Sequence, residues 1–218
     1  MSIDKLSLYD FIAVLMPGIF FLICTEMIFN LASSELVIPE GNNLPLLLLL
    51  IVFGYITGIL LQGLSQTITD RILKLFWKGQ LSEKWLMDNN QFLSDDYKKI
   101  FWEKVKLKLN RSKPTGNEQG IRKNNREIFS LIVKLVEREK YSDKIQIFIA
   151  QFSFFRSLLT VFSILLSFLV FKYFSYGNFT RIEIMILVFS LIGLLISYSG
   201  VKKRNEDFVR ATLDAFII

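Results

Sequence analysis

GNNLPLLLLLIVFGYITGILLQGLSQTIT, residues 41–69, runs for 29 residues between Glu40 and Asp70 without a formal charge and contains the unbroken apolar run Leu46–Phe53. A helix rising ~1.5 Å per residue needs about 20 largely apolar residues to cross a hydrocarbon core ~30 Å thick. A water-soluble core helix of this length would carry a polar face, and none is visible here. The stretch reads as a membrane span over about residues 44–64.

Composition agrees, since 52% of the 218 residues are hydrophobic, 21 are Phe and the mean hydropathy is +0.41. A first span is expected at about 9–31, with Pro17-Gly18 kinking or breaking its helix near the middle. Phe11–Cys24 has the apolarity of a signal-peptide core. However, MSIDKLSLYD sets Asp4 and Asp10 against Lys5, and apolar character persists to Leu31, so a retained span is the better reading. A third span is expected within one long helix from Ser142-Asp143 to Phe171, and a fourth over 184–201, ended by Lys202-Lys203-Arg204. The class is thus an all-α integral membrane protein, with four transmembrane helices in two hairpins and a helical insertion between spans two and three. Residues 1–64 form the first hairpin, 65–150 a basic helical segment, 151–201 the second hairpin and 202–218 a C-terminal helix.

Small and hydroxylated residues mark the faces on which the spans pack. Gly54 and Gly58 lie one turn apart in GYITG and read as intramolecular packing, the alternative being a homo-oligomer contact. Thr160, Ser163 and Ser167 share one face of span three with Ser153 and Arg156; Gly193 and Ser197 share one face of span four. Hydroxyls there bond to their own carbonyls or across a helix pair, or else line a water-filled pore. The charged groups at membrane depth are Asp10, Glu26 and Arg156. Glu26 falls near an interface, where solvation or pairing suffices. Asp10 and Arg156 fall at the same inner level and are expected to pair, so Asp10→Asn and Arg156→Gln should lose expression non-additively.

The middle of the chain is where charge collects. Between Gln66 and Phe152 lie 18 of the 26 Lys and Arg with 11 of the 20 acids, a net charge of +7. Short connections rich in Lys and Arg stay cytoplasmic. The 32–43 link has none, so four spans with both termini and the central segment in the cytoplasm are expected. Lys172 and Arg181 on the outer turn are the exception. Ser94, followed by Asp95 and Asp96, should cap an amphipathic helix to about Leu109; NRSKPTGNEQG should be a loop, and a further helix should occupy roughly 125–140. Three short helices bury little area, so this segment is expected to lean on the bilayer or on a second copy. The tail NEDFVRATLDAFII reads as an amphipathic helix that packs on it, or self-associates.

The sharpest soluble feature is KKIFWEKVKLKLNRSK, where Lys98, Lys99, Lys104, Lys106, Lys108, Arg111 and Lys113 face one acid beside Phe101 and Trp102; Arg122, Lys123 and Arg126 extend the patch. It suits anionic lipid, RNA or a nucleotide, or is simply a solvated face. Catalytic chemistry is poorly provided for. The chain has no His and one Cys, which removes His-based triads, His/Cys zinc sites and internal disulfides; neither a Walker loop, HExxH nor GxSxG occurs. Cys24 reads as a small buried hydrophobe. Asp88 with Asp95 and Asp96 is the only acidic group suited to a divalent ion, and a capped helix start accounts for the last two. No catalytic residue, metal or cofactor is expected.

Tyr9-Asp10-Phe11, Pro17-Gly18 within span one, Phe154-Phe155-Arg156-Ser157-Leu158 opening span three and the basic tail helix together resemble a group of bacterial four-span proteins from phage-defence loci. The multi-pass membrane accessory proteins of type VI-B CRISPR systems belong to it. The resemblance implies a place beside an RNA-guided ribonuclease or in another defence locus, modulating the response or acting at the membrane. The sister accessory of those systems carries an Arg/His ribonuclease-like motif, which a chain without histidine cannot supply. Two function classes remain: a membrane-anchored module whose cytoplasmic segment contacts a defence partner, nucleic acid or lipid, and an oligomeric pore that depolarises the cell. A transporter is disfavoured by the absence of an inverted repeat.

Overall fold

The computed structural model describes residues 11–30, 44–77, 81–87, 92–138 and 142–218, and every regular element among them is helical. After a π-helical turn, Phe11–Leu15, come α1 (Met16–Asn30), α2 (Leu44–Trp77), α3 (Leu81–Trp85), α4 (Asp95–Leu109), α5 (Glu118–Arg138), α6 (Ser142–Tyr176) and α7 (Arg181–Ile217). Two compact units share these helices, Met1–Asp70 with Ala150–Lys202, and Arg71–Ile149 with Lys203–Ile218. Among the described residues three helical stretches are long and apolar enough to cross a membrane: Leu44–Ile68, Ile145–Ser175 and Glu183–Ile217; Phe11–Glu26 is a shorter apolar helix. These make the chain a membrane protein, and its described regular elements are all helices.

In the first unit the break at Pro17 takes a definite form. Proline lacks an amide hydrogen and its ring crowds the carbonyl four residues back. The chain answers with the π-helical turn and enters α1 at Met16, just ahead of the proline. Pro17 and Gly18 are both buried. A Cβ on Gly18 would overlap the Gly54 carbonyl oxygen and stand 2.7 Å from the Gly58 amide nitrogen; one on Gly58 would stand 2.7 Å from the Val14 carbonyl carbon. The backbones of α1 and α2 therefore touch, which only glycine permits. Phe20, Phe162 and Phe189 meet in a ring cluster at 5.5, 5.9 and 6.4 Å between centroids, next to a core of Leu61, Val161, Phe162 and Leu165. The opposite side of α2 is left bare, with Leu46 50% and Phe53 55% exposed. A bare apolar helix face is costly in water and ordinary in lipid.

The turn between α6 and α7 is closed by a feature of TRIE, residues 180–183, that the sequence reading overlooked. Thr180 N donates to Glu183 Oε2 (2.8 Å) and Glu183 N donates to Thr180 Oγ1 (3.3 Å), a reciprocal cap of the first turn of α7. Lys172 of α6 makes an ion pair with the other Glu183 oxygen, and that carboxylate side chain is only 3% exposed. One of the two cations on this turn is thereby neutralised. Lys172→Met alone should cost about 2 kcal/mol, because a buried carboxylate loses its cation. Lys172→Met with Glu183→Met should recover part of that in thermal unfolding; a double variant worse than the sum of its singles would refute the coupling.

In the second unit, Ser94 Oγ accepts from Tyr97 N (3.2 Å) to cap α4, and Asn110 ends the helix in the left-handed region at φ 50°. α5 begins at Glu118, earlier than the expected start near 125, because Asn117 Oδ1 caps it by accepting from Gly120 N (2.9 Å). The polar run that reads as loop is in part a capped first turn. The core gathers Trp85 and Leu86, Leu93, Phe101 and Val105 of α4, four α5 residues, Ile145 of α6, and Val209, Leu213, Ala215 and Phe216 of α7. The apolar cover that three short helices lack comes from the chain's own C-terminal stretch. Within it Phe101 and Phe216 lie 5.8 Å apart, and Phe129 meets Phe208 edge-on at 5.9 Å.

Tyr97 Oη donates to Asp214 Oδ1 (2.7 Å), tying α4 to the end of α7. Burial, then the Asp214 carboxylate, pushes the phenol well above its ordinary value. A phenol whose pKa rises on folding stabilises while protonated, so this contribution is whole below about pH 10 and fades as the pH climbs further. Tyr97→Phe should therefore cost ~1 kcal/mol at neutral pH. Its deficit against the parent should shrink in unfolding titrations above about pH 10; a deficit that grows there would contradict this.

Candidate functional site

Of the ten expected basic-patch residues, Lys98, Lys104, Lys108, Arg122 and Arg126 have partners within the second unit. Lys98 is buried with its amine 3.7 Å from Asp95; Lys104 reaches the Ile218 carbonyl (3.3 Å), and Lys108 the Phe216 carbonyl (3.5 Å) with its amine 5.3 Å from the Phe216 ring. Lys104 and Lys108 serve the end of α7, since a lysine near unpaired C-terminal carbonyls is held by them, and Lys98 pairs within the first turn of α4. Arg122 pairs with Glu118 within α5, and Arg126 lies 4.0 Å from Glu83. Lys99, Lys106 and Lys123 are exposed. Asp95 and Asp96 occupy the first turn of α4, and Asp88 lies outside the described residues.

Arg111 and Lys113 belong to a different arrangement. The extended segment after α4 turns at Asn110 and again at Gly116 (φ 127°), and between these turns it runs beside α5. The two enclose an open groove of about 620 Å³. Arg111, Ser112, Lys113 and Thr115 line one wall. Asn124, Glu127, Ile128 and Leu131, at helical spacings of 3, 1 and 3, form the other with Ser130. Ile128 is buried and Leu131 is 38% exposed, so the helix wall has an apolar floor beneath its polar groups. Arg111 and Lys113 were legible as cations; the helix wall was not, because the path of an irregular segment leaves no periodic trace.

In the first unit three hydroxyls expected on one face of α6 turn back on their own helix. Thr160 Oγ1 donates to the Arg156 carbonyl (3.2 Å), Ser163 Oγ to Leu159 (2.8 Å) and Ser167 Oγ to Ser163 (2.8 Å). Arg156 Nε donates to Ser65 Oγ of α2 (3.2 Å), and its guanidinium carbon lies 5.5 Å from the Phe152 ring centroid. Asp10, its expected partner, lies outside the described residues. Ser65 is fully buried and escaped the sequence reading for lack of a charge. Gly54 and Gly58 face α1, Gly193 receives the Phe162 ring, and Ser197 is buried. Glu26 is exposed and Cys24 half-buried.

No known protein family, curated protein or solved structure matches this chain.

Proposed function

We propose that the protein is a non-enzymatic accessory of a bacterial antiviral defence system, held in the inner membrane, with a cytoplasmic helical unit that contacts a partner, nucleic acid or lipid. The observation that carries the module reading is a second unit with its own core and an open, cation-bearing groove. The defence setting is carried by the layout resemblance. Phe11–Leu15 and α1 together make a fourth span, supported by their backbone contact with the apolar α2. Both termini then lie in the cytoplasm with the basic middle segment, as the distribution of Lys and Arg favours.

The competing reading is an oligomeric pore. Against it, the Thr160, Ser163 and Ser167 hydroxyls are engaged by carbonyls of their own helix, and the Gly54/Gly58 face is taken by α1. Expression in bacteria should leave the membrane potential and dye exclusion unchanged. Depolarisation that disappears in Thr160→Leu with Ser163→Leu would replace the module reading with the pore.

A further inference from the structure

The groove between the 111–115 segment and α5 has a chemistry more particular than a basic patch. Two cations, Arg111 and Lys113, stand on one wall, and a carboxylate, Glu127, stands on the other beside the Asn124 amide. Guanidinium and ammonium groups donate to phosphate oxygens, whereas a carboxylate accepts only and repels an anion. A ligand that satisfies both walls is therefore anionic at one end and carries N–H donors at the other. The open groove, at about 620 Å³, has room for a small organic molecule, and Ile128 with Leu131 offers an apolar floor. Inorganic phosphate fills a small part of it and leaves Glu127 unanswered.

We propose that this groove binds a nucleoside phosphate, its phosphates on Arg111 and Lys113, its base over Leu131 and donating to Glu127. The proposal rests on the reading of the second unit as a binding module, and it adds the class of ligand. Base amino and imino groups are the N–H donors that a carboxylate can accept, and a flat ring suits an aliphatic floor.

Glu127 makes the test decisive because its effect has opposite signs for different anions. The full chain in detergent is titrated calorimetrically with GTP, ATP and pyrophosphate, at low salt. Saturable binding of a nucleotide is expected, weakened about tenfold or more by Arg111→Gln with Lys113→Gln. Glu127→Gln should weaken the nucleotide but tighten pyrophosphate, from which it removes only a repulsion. Unchanged helicity and unfolding temperature are expected for Arg111→Gln and Glu127→Gln taken singly, since both side chains are exposed. The proposal is overturned if no nucleotide saturates the chain at millimolar concentration, if pyrophosphate binds as tightly as the nucleotides, or if Glu127→Gln tightens all three. Those failures, in cells that keep their membrane potential, leave the module reading standing; depolarisation removes that reading whatever the titration shows.

Discussion

Gly18→Val should abolish the folded first unit, while Gly63→Ala in the neighbouring helix should be nearly silent. A Cβ at Gly18 meets backbone, the Gly54 carbonyl oxygen and the Gly58 amide, and backbone cannot rotate aside as a flexible side chain can. Accommodating it means separating α1 from α2, which breaks contacts along the whole crossing, including the seat of Val14 against Gly58. Between helices in lipid, close packing does most of the work, so its loss is not offset by a hydrophobic gain. A cost of roughly 3 kcal/mol or more is expected, enough to eliminate monodisperse protein after detergent extraction. At Gly63 nothing lies within 4 Å of an added Cβ, and alanine there should be neutral or slightly stabilising. Extraction and gel filtration of the two variants side by side make the comparison; a well-behaved Gly18→Val would mean that α1 does not lie against α2.

Phe101→Ala should be as damaging to the second unit. The ring is fully buried, edge-on to Trp102 at 5.1 Å and 5.8 Å from Phe216. Its truncation removes transfer free energy and leaves a cavity among helices that cannot all close on it, a loss of about 3–5 kcal/mol. The readout is specific, because the only tryptophans, Trp77, Trp85 and Trp102, fall within Arg71–Ile149. Tryptophan emission during denaturation therefore follows this unit, and its midpoint should drop sharply. Leu107→Ala, at a side chain 82% exposed on the same helix, should move it by no more than about 0.5 kcal/mol. Equal shifts for the two would mean that α4 does not seat Phe101 inward.

What the sequence made legible was whatever rests on period and charge. The apolar helix from Leu44, the Ser94 cap and the amphipathic α4 all follow from local rules and stand where those rules put them. Contacts between distant segments were harder to read. That Gly18 is the partner of Gly54 and Gly58 depends on how α1 crosses α2, and a small-residue pair does not name its partner. Lys98, Lys104 and Lys108 count as patch cations in a linear reading, yet their amines are drawn to Asp95 and to the carbonyls at the chain's end. The C-terminal stretch does not form a helix of its own after the Lys202-Lys203-Arg204 anchor. With no glycine or proline between Val201 and Ile218, α7 runs through without a stop. Glu183 was hidden by the same habit of reading charges as solvated, although TRIE has the spacing of a reciprocal cap.

The proposed function requires the basic segment and its groove to lie on the cytoplasmic side of a membrane. Thr115→Cys, placed in a Cys24→Ala background so that it is the sole thiol, tests this directly with a membrane-impermeant maleimide. In inside-out vesicles of the inner membrane residue 115 should label rapidly, and in right-side-out vesicles it should be protected until detergent is added. Labelling in right-side-out vesicles, or absence of the protein from both vesicle fractions, would contradict the account.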